Sequence, residues 1–228
     1  MPSKGKRFRG DVESMTNLDP VPLADALEKV LNFKKLKFDQ SVELCMHLGI
    51  DSKQADQNLR GALSLPHGVG GAAKRVVAFC SDDKIAAAKE AGAIEAGSDQ
   101  LVERIEGGWM DFDVAVATPD VMRVIAKLGR VLGPRGLMPS PKSGTVTPDV
   151  VNAVKEYAAG KVEFRSDAGG NIHASIGKQS FDKAQLTENA QAFIDHIIRL
   201  RPSSTKGLYV KKITVAGTMT PGVEVIVD

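Results

Sequence analysis

Leu65-Pro66-His67-Gly68-Val69-Gly70-Gly71-Ala72-Ala73-Lys74-Arg75-Val76-Val77-Ala78-Phe79-Cys80 is the stretch on which the reading of this 228-residue chain turns. Upstream of it, apolar residues alternate with polar ones. Downstream, they run together. Leu59–Leu65 reads as a strand that Pro66 and Gly68 break. Val76–Cys80 reads as a strand covered on both faces, as in a parallel sheet.

Further upstream, Val42, Leu44, Met46 and Leu48 alternate with Ser41, Glu43, Cys45 and His47, the pattern of a half-buried strand. Leu23, Leu27, Val30 and Leu31 recur at helical spacing between Pro22 and Phe33. Downstream, the pattern predicts helices over 82–91 and 98–106, a strand over 114–117, and a helix from Pro119 to about Leu128. Residues 129–146 read as a loop, and a helix over 148–158 ends at Gly160. Alternation then returns in Val162 and Phe164, and in Ile172, Ala174 and Ile176. Asp182 caps a helix with the apolar stripe Leu186, Ala190, Phe193, Ile197 and Leu200. Ile213 and Val215 pair with Val223, Val225 and Val227 around the 218–222 turn.

The two outer segments share one texture and the middle has another. The fold class expected is α/β and α+β combined. Residues 1–66 plus 161–228 form a discontinuous α+β domain, and 67–160 form an α/β domain inserted into it. The junctions near 66–71 and 157–161 form a two-stranded hinge, where Gly68, Gly70, Gly71 and Gly160 make large dihedral changes cheap. The outer segments carry 19 basic residues against 16 acidic ones, the middle 11 against 12.

Several classes of function find no support. No apolar run approaches the roughly 20 residues of a membrane helix. The basic start with Lys4, Lys6, Arg7 and Arg9 is followed by no apolar stretch, so it is a solvated terminus or a nucleic-acid arm rather than a secretory signal. Cys45 and Cys80, the only two cysteines and far apart in sequence, do not look like a disulfide framework or zinc site, and a reducing cytoplasm is the default. No metal is expected: His47, His67, His173 and His196 are scattered, and Asp111, Asp113 and Asp120 read as polar ends of a buried strand. An enzyme using the inserted domain as a nucleotide site is the main alternative. Gly68-Val69-Gly70-Gly71-Ala72-Ala73 superficially fits G-x-G-x-x-A, but it precedes the strand at Val76 instead of following one. No cofactor is implied.

The most distinctive segment is Leu128–Val146. Gly133, Pro134, Gly136, Pro139, Pro141 and Gly144 shape it, and its long side chains include Arg130, Arg135 and Lys142. From Val121 to Pro148 there is no Asp or Glu, so the segment suits phosphate.

Here the chain resembles the bacterial ribosomal protein L1 family. The loop Gly133-Pro134-Arg135-Gly136-Leu137-Met138-Pro139 looks like the family signature. Leu48-Gly49-Ile50-Asp51, Asp56-Gln57-Asn58, Leu65-Pro66-His67-Gly68, Gly108-Trp109-Met110-Asp111-Phe112-Asp113, Ala117-Thr118-Pro119-Asp120 and Thr218-Met219 match in the same order. The resemblance implies a discontinuous α+β domain with an inserted Rossmann-like domain, and a cytoplasmic protein of the large ribosomal subunit that is not an enzyme. The implied partners are the 23S rRNA of the mobile stalk, exit-site tRNA whose deacylated form it helps release, and its own operon mRNA, which it represses. Free of RNA it is expected to be a monomer. The family's RNA surface maps to Lys37, Phe38, Ser41 and Glu43, and to Thr218 and Met219 with Lys178 and Ser180 beside them. Arg130, Arg135 and Lys142 are candidates for tRNA or stalk RNA. Thr220 stands where the family has Gly, which is expected to weaken or shift that contact. Lys212 stands where the family often has Ser and is expected to add a compensating phosphate contact.

Overall fold

The computed structural model describes residues 5–15, 19–71 and 74–227. Met1–Lys4, including Lys4 of the basic start, lie outside the described residues, as do Ala72 and Ala73 of the glycine-rich motif. In chain order the elements are α1 (Lys6–Glu13), α2 (Leu23–Asn32), β1 (Ser41–Leu48), β2 (Arg60–Leu63), β3 (Val76–Phe79), α3 (Asp82–Glu90), β4 (Glu95–Gly97), α4 (Asp99–Glu106) and β5 (Val114–Ala117). There follow the single turns α5 (Met122–Ile125) and α6 (Gly129–Leu132), then α7 (Val150–Ala158), β6 (Val162–Arg165), β7 (Asn171–Lys178), α8 (Lys183–Arg199), β8 (Val210–Gly217) and β9 (Val223–Val225). The chain is of mixed α/β class. It divides into two compact units, Met1–Gly71 with Val162–Asp228, and Ala72–Lys161.

The outer unit is built on an antiparallel sheet of order β7-β1-β8-β9. Alternation along β1 sends Val42, Leu44, Met46 and Leu48 into the core. There they meet Ala26, Leu27 and Val30 of α2 and Leu186, Ala190, Phe193 and Ile197 of α8. Asp182 and Gln185 form a reciprocal capping box that starts α8. The expected stripe of α8 stops at Ile197: Leu200 is 38% exposed, because the helix has ended and its C-cap turns away. β2 and β6 pair as a separate antiparallel ribbon, Leu63 opposite Val162.

Where the chain leaves β2, Asn189 on α8 is fully buried and completely bonded. Its Oδ1 accepts from the His67 N–H at 3.0 Å. Its Nδ2 donates to the carbonyls of Gly68 at 2.9 Å and Ile176 at 2.8 Å. This bonding ties the 66–68 turn to α8, and a Cβ on Gly70 would lie 2.6 Å from the Phe181 ring. Gly68 and Gly70 have positive φ, 64° and 68°, and sit in packed turns of the outer unit; the boundary between the units falls after Gly71.

The inserted unit has a parallel sheet of order β4-β3-β5. β3 is buried along its whole length. Val77 and Phe79 enter one core with Leu101 and Ile105 of α4. Val76, Ala78 and Cys80 enter another with Ala88 of α3 and Val154 and Tyr157 of α7. A continuous apolar run is what a strand between two cores requires.

Three elements depart from the sequence reading. β4 is too short and too polar to announce itself, and exists through pairing with Val77–Phe79. The helix expected from Pro119 is broken into 3-10 turns flanking α5, and α6 occupies the start of the expected loop. The basic start, read as a solvated terminus or a nucleic-acid arm, forms the helix α1 from Lys6.

Replacing Asn189 with Leu would strand three backbone groups, the Ile176 carbonyl among them in a buried bond. The expected result is a loss of about 3 kcal/mol of stability, read from chemical denaturation, whereas Asn189→Ala on an unbonded surface residue's scale (under 1 kcal/mol) would contradict the bonding described.

Candidate nucleic-acid interface

β1 runs antiparallel to both neighbours, so its first residues lie beside the last residues of β7 and β8. Ser41 pairs with Lys178, and Val42 with Gly217. Three segments distant in sequence thus meet at one end of the sheet. A β-bulge between Val42 and Glu43 helps deliver Lys178, whose Nζ donates to Ser41 Oγ at 2.8 Å. The bulge needs Gly177, since a Cβ there would lie 2.7 Å from a Leu186 methyl.

The 218–220 turn is bonded onto the same point. The Thr218 N–H donates to the Ser41 carbonyl at 3.0 Å, and the Ser41 N–H donates to Thr218 Oγ1 at 3.1 Å. Met219 is 67% exposed with φ 63°, a left-handed conformation unusual for a residue with a Cβ. The Thr220 hydroxyl does not project outward. It folds back to accept from the Gly217 N–H at 2.8 Å and lies 3.0 Å from the Gly217 carbonyl.

On the approach to β1, Lys37 and Phe38 are exposed, Phe38 by 49%. Asp39 accepts from the Ser180 N–H at 3.1 Å and its hydroxyl at 2.7 Å, joining this segment to the end of β7. Gln40 is buried and donates to Gln179 Oε1 at 2.9 Å. The structure therefore brings together Lys37, Phe38, Ser41, Lys178, Ser180, Thr218, Met219 and Thr220, with exposed Glu43 one step along β1. Lys212 does not join them. It pairs in register with His47, six residues along β1 from Ser41, roughly 20 Å away at strand rise, and it is ion-paired to Glu224.

Sequence reasoning missed two features here. Arg7 of α1 donates from Nη2 to the Met219 carbonyl at 2.6 Å, a contact across 212 positions that no local pattern signals. The alternate residues of the sheet point away from the core, and they continue the surface through Cys45, His173, Ser175, Thr214 and Ala216. The parity that picked out Val42 and Leu44 carried this second set too. Neither thiol is an activated nucleophile. Burial first, then the charge of Asp167, pushes the Cys45 thiol up, and burial does the same to Cys80.

On the inserted unit, Arg130, Arg135 and Lys142 are all exposed. The segment that carries them is held by buried hydroxyls. Thr145 Oγ1 accepts from the Ser140 N–H at 2.8 Å and lies 3.0 Å from Ser143 Oγ. The Tyr157 hydroxyl donates to the Ser143 carbonyl at 2.9 Å. The Ala117 N–H donates to the Thr145 carbonyl at 2.8 Å, anchoring the segment to β5.

Thr145→Val keeps the shape but leaves the Ser140 N–H unpaired. It should cost about 2 kcal/mol in denaturant unfolding and expose 133–146 to protease; an unchanged midpoint would show the hydroxyl to be dispensable. Thr220→Gly should raise amide exchange at Gly217 roughly tenfold, about the worth of one net hydrogen bond, while Thr220→Ser restores protection. Equal exchange in both variants would remove the hydroxyl's role.

Residues 30–221 match the model of the Ribosomal protein L1p/L10e family. Three relatives share the description large ribosomal subunit protein uL1. The one from a Nocardioides species is 49% identical over 222 residues, 97% of this chain and 92% of its own length. That of Chlorobaculum tepidum is 48% identical over 228 residues, 100% and 98% of the two chains. That of Nitratidesulfovibrio vulgaris is 48% identical over 225 residues, 99% and 95%.

Proposed function

Since the chain belongs to the Ribosomal protein L1p/L10e family, we propose that its outer unit anchors it to the 23S rRNA of the mobile stalk through the sheet end where Ser41, Lys178 and Thr218 meet. It is a protein of the large ribosomal subunit, located in the cytoplasmic ribosome. The observation that carries the RNA reading is the exposure of two apolar side chains, Phe38 and Met219, at a bonded sheet end that also holds Lys37 and Lys178. Exposed apolar groups beside cations suit folded RNA: the rings and thioether pack on sugar or base, and the ammonium groups meet phosphate. Glu43 accepts from a 2′-hydroxyl or base amino group. The same surface binds the operon mRNA when rRNA is not available, which represses translation.

The inserted unit assists release of deacylated tRNA from the exit site. Its basic segment, with Arg130, Arg135 and Lys142, offers charge to tRNA or stalk RNA. The chain crosses between the units only at 71–72 and 161–162, with Gly71 and Gly160 at positive φ beside those crossings, which favours a swing there. The reading as a nucleotide-dependent enzyme finds less support. After β3 stands Cys80-Ser81-Asp82-Asp83, and two acids in the first turn of α3 repel phosphate where a nucleotide site needs bare N–H groups.

The test is binding to the stalk fragment of 23S rRNA, against a scrambled hairpin of equal length, over a salt series. Selective binding should weaken about tenfold in Phe38→Ala or Met219→Ala. Lys178→Ala should lower the salt slope by about 0.7–0.9. Equal, weak, steeply salt-dependent binding to both RNAs would replace this reading with generic electrostatics.

A further inference from the structure

Resting on the reading of this sheet end as an RNA interface, we infer that Arg7 is a positioning residue of that interface, holding Met219 in its left-handed conformation and so setting where the exposed thioether meets RNA. Among the described residues Met219 is the non-glycine residue with positive φ. A long L-side chain keeps that geometry only where its surroundings impose it. The flanks of the turn are held from within, by the Thr218 bonds to Ser41 and the Thr220 bonds to Gly217. The carbonyl of Met219 itself is held from outside the turn, by Arg7 Nη2 at 2.6 Å.

The guanidinium is placed for this purpose. Its other terminal nitrogen, Nη1, lies 3.5 Å from Asp11 Oδ2, one turn further along α1. The side chains of Arg7 and Asp11 are only 24% and 11% exposed. The charge is therefore turned toward protein partners, and the planar fork reaches both at once, which a lysine ammonium cannot reproduce at the same spacing. α1 is tied to the outer unit beyond this contact, since Met15 just after it packs on the outer core. A basic helix thus acts on RNA through the shape of a turn, and the contribution of Arg7 is geometric in place of a phosphate contact.

The two roles differ in their salt dependence. A residue that neutralises a phosphate contributes about 0.7–0.9 to the slope of log affinity against log salt, and a positioning residue contributes nothing. Arg7→Met should weaken binding to the stalk RNA about fivefold to tenfold, on the scale of a lost charge-assisted bond, with the slope unchanged. Arg7→Gln, which retains one N–H for the Met219 carbonyl, should recover part of the loss and guards against a folding defect in the first variant. In a Met219→Gly background, where glycine adopts the left-handed geometry unaided, Arg7→Met should have no further effect. A slope reduced by about 0.7–0.9 would assign Arg7 to phosphate and overturn the inference. So would additive losses in the double variant, or unchanged affinity in Arg7→Met while Phe38→Ala still weakens binding. If Phe38→Ala and Met219→Ala are also neutral, the interface reading itself has failed and the role of Arg7 falls with it.

Discussion

The antiparallel register of β1 against β7 and β8 is the constraint from which the rest of the outer unit follows. Ser41 opposite Lys178 and Val42 opposite Gly217 is the pairing that sets the 218–220 turn on the start of β1. A slip of one residue would move Val42, Leu44, Met46 and Leu48 to the polar face and put Glu43 and His47 in the core. The hydrophobic cost of that exchange is what makes the pairing unique. The bulge in the β1–β7 pairing at Val42 and Glu43, opposite Gly177, occurs where Lys178 reaches Ser41, and a second shift, against β8, lies at the far end of the strand between His47 and Leu48.

The same economy governs how a second unit interrupts the first. The β2–β6 ribbon carries the chain out and back, and Asn189 satisfies the turn that follows β2. A buried amide with all its bonds made adds specificity without leaving an orphaned polar group. The inserted unit has its own two cores on the faces of β3, so each unit holds its own structure. Its basic segment is shaped by Thr145, Ser143 and Tyr157, and long cationic side chains rise from a bonded backbone.

Both candidate surfaces therefore share one design. Exposed groups that suit RNA stand on backbone already tied down by buried hydrogen bonds, so little ordering entropy remains to be lost on binding. In a protein of the large ribosomal subunit this is consistent with recognition of folded RNA by shape.

Much of this was legible in the chain itself. Period-two alternation fixed the buried face of β1 and β7, and an unbroken apolar run marked β3, because side-chain parity and two-sided burial are local consequences of strand geometry. The order of short motifs carried the family. The tertiary structure alone decided which residues come together. Lys212 was expected to add a phosphate contact compensating for Thr220, and it lies about 20 Å along the strand from Ser41, because β8 runs extended between it and the 218–220 turn. Arg7 looked like part of a solvated arm and reaches Met219, because only the packing of α1 on the outer unit closes that distance. β4 depends on the ladder that Val77–Phe79 offers it. Local pattern determines which face of each element is buried; contacts between residues two hundred positions apart exist only once the cores have formed.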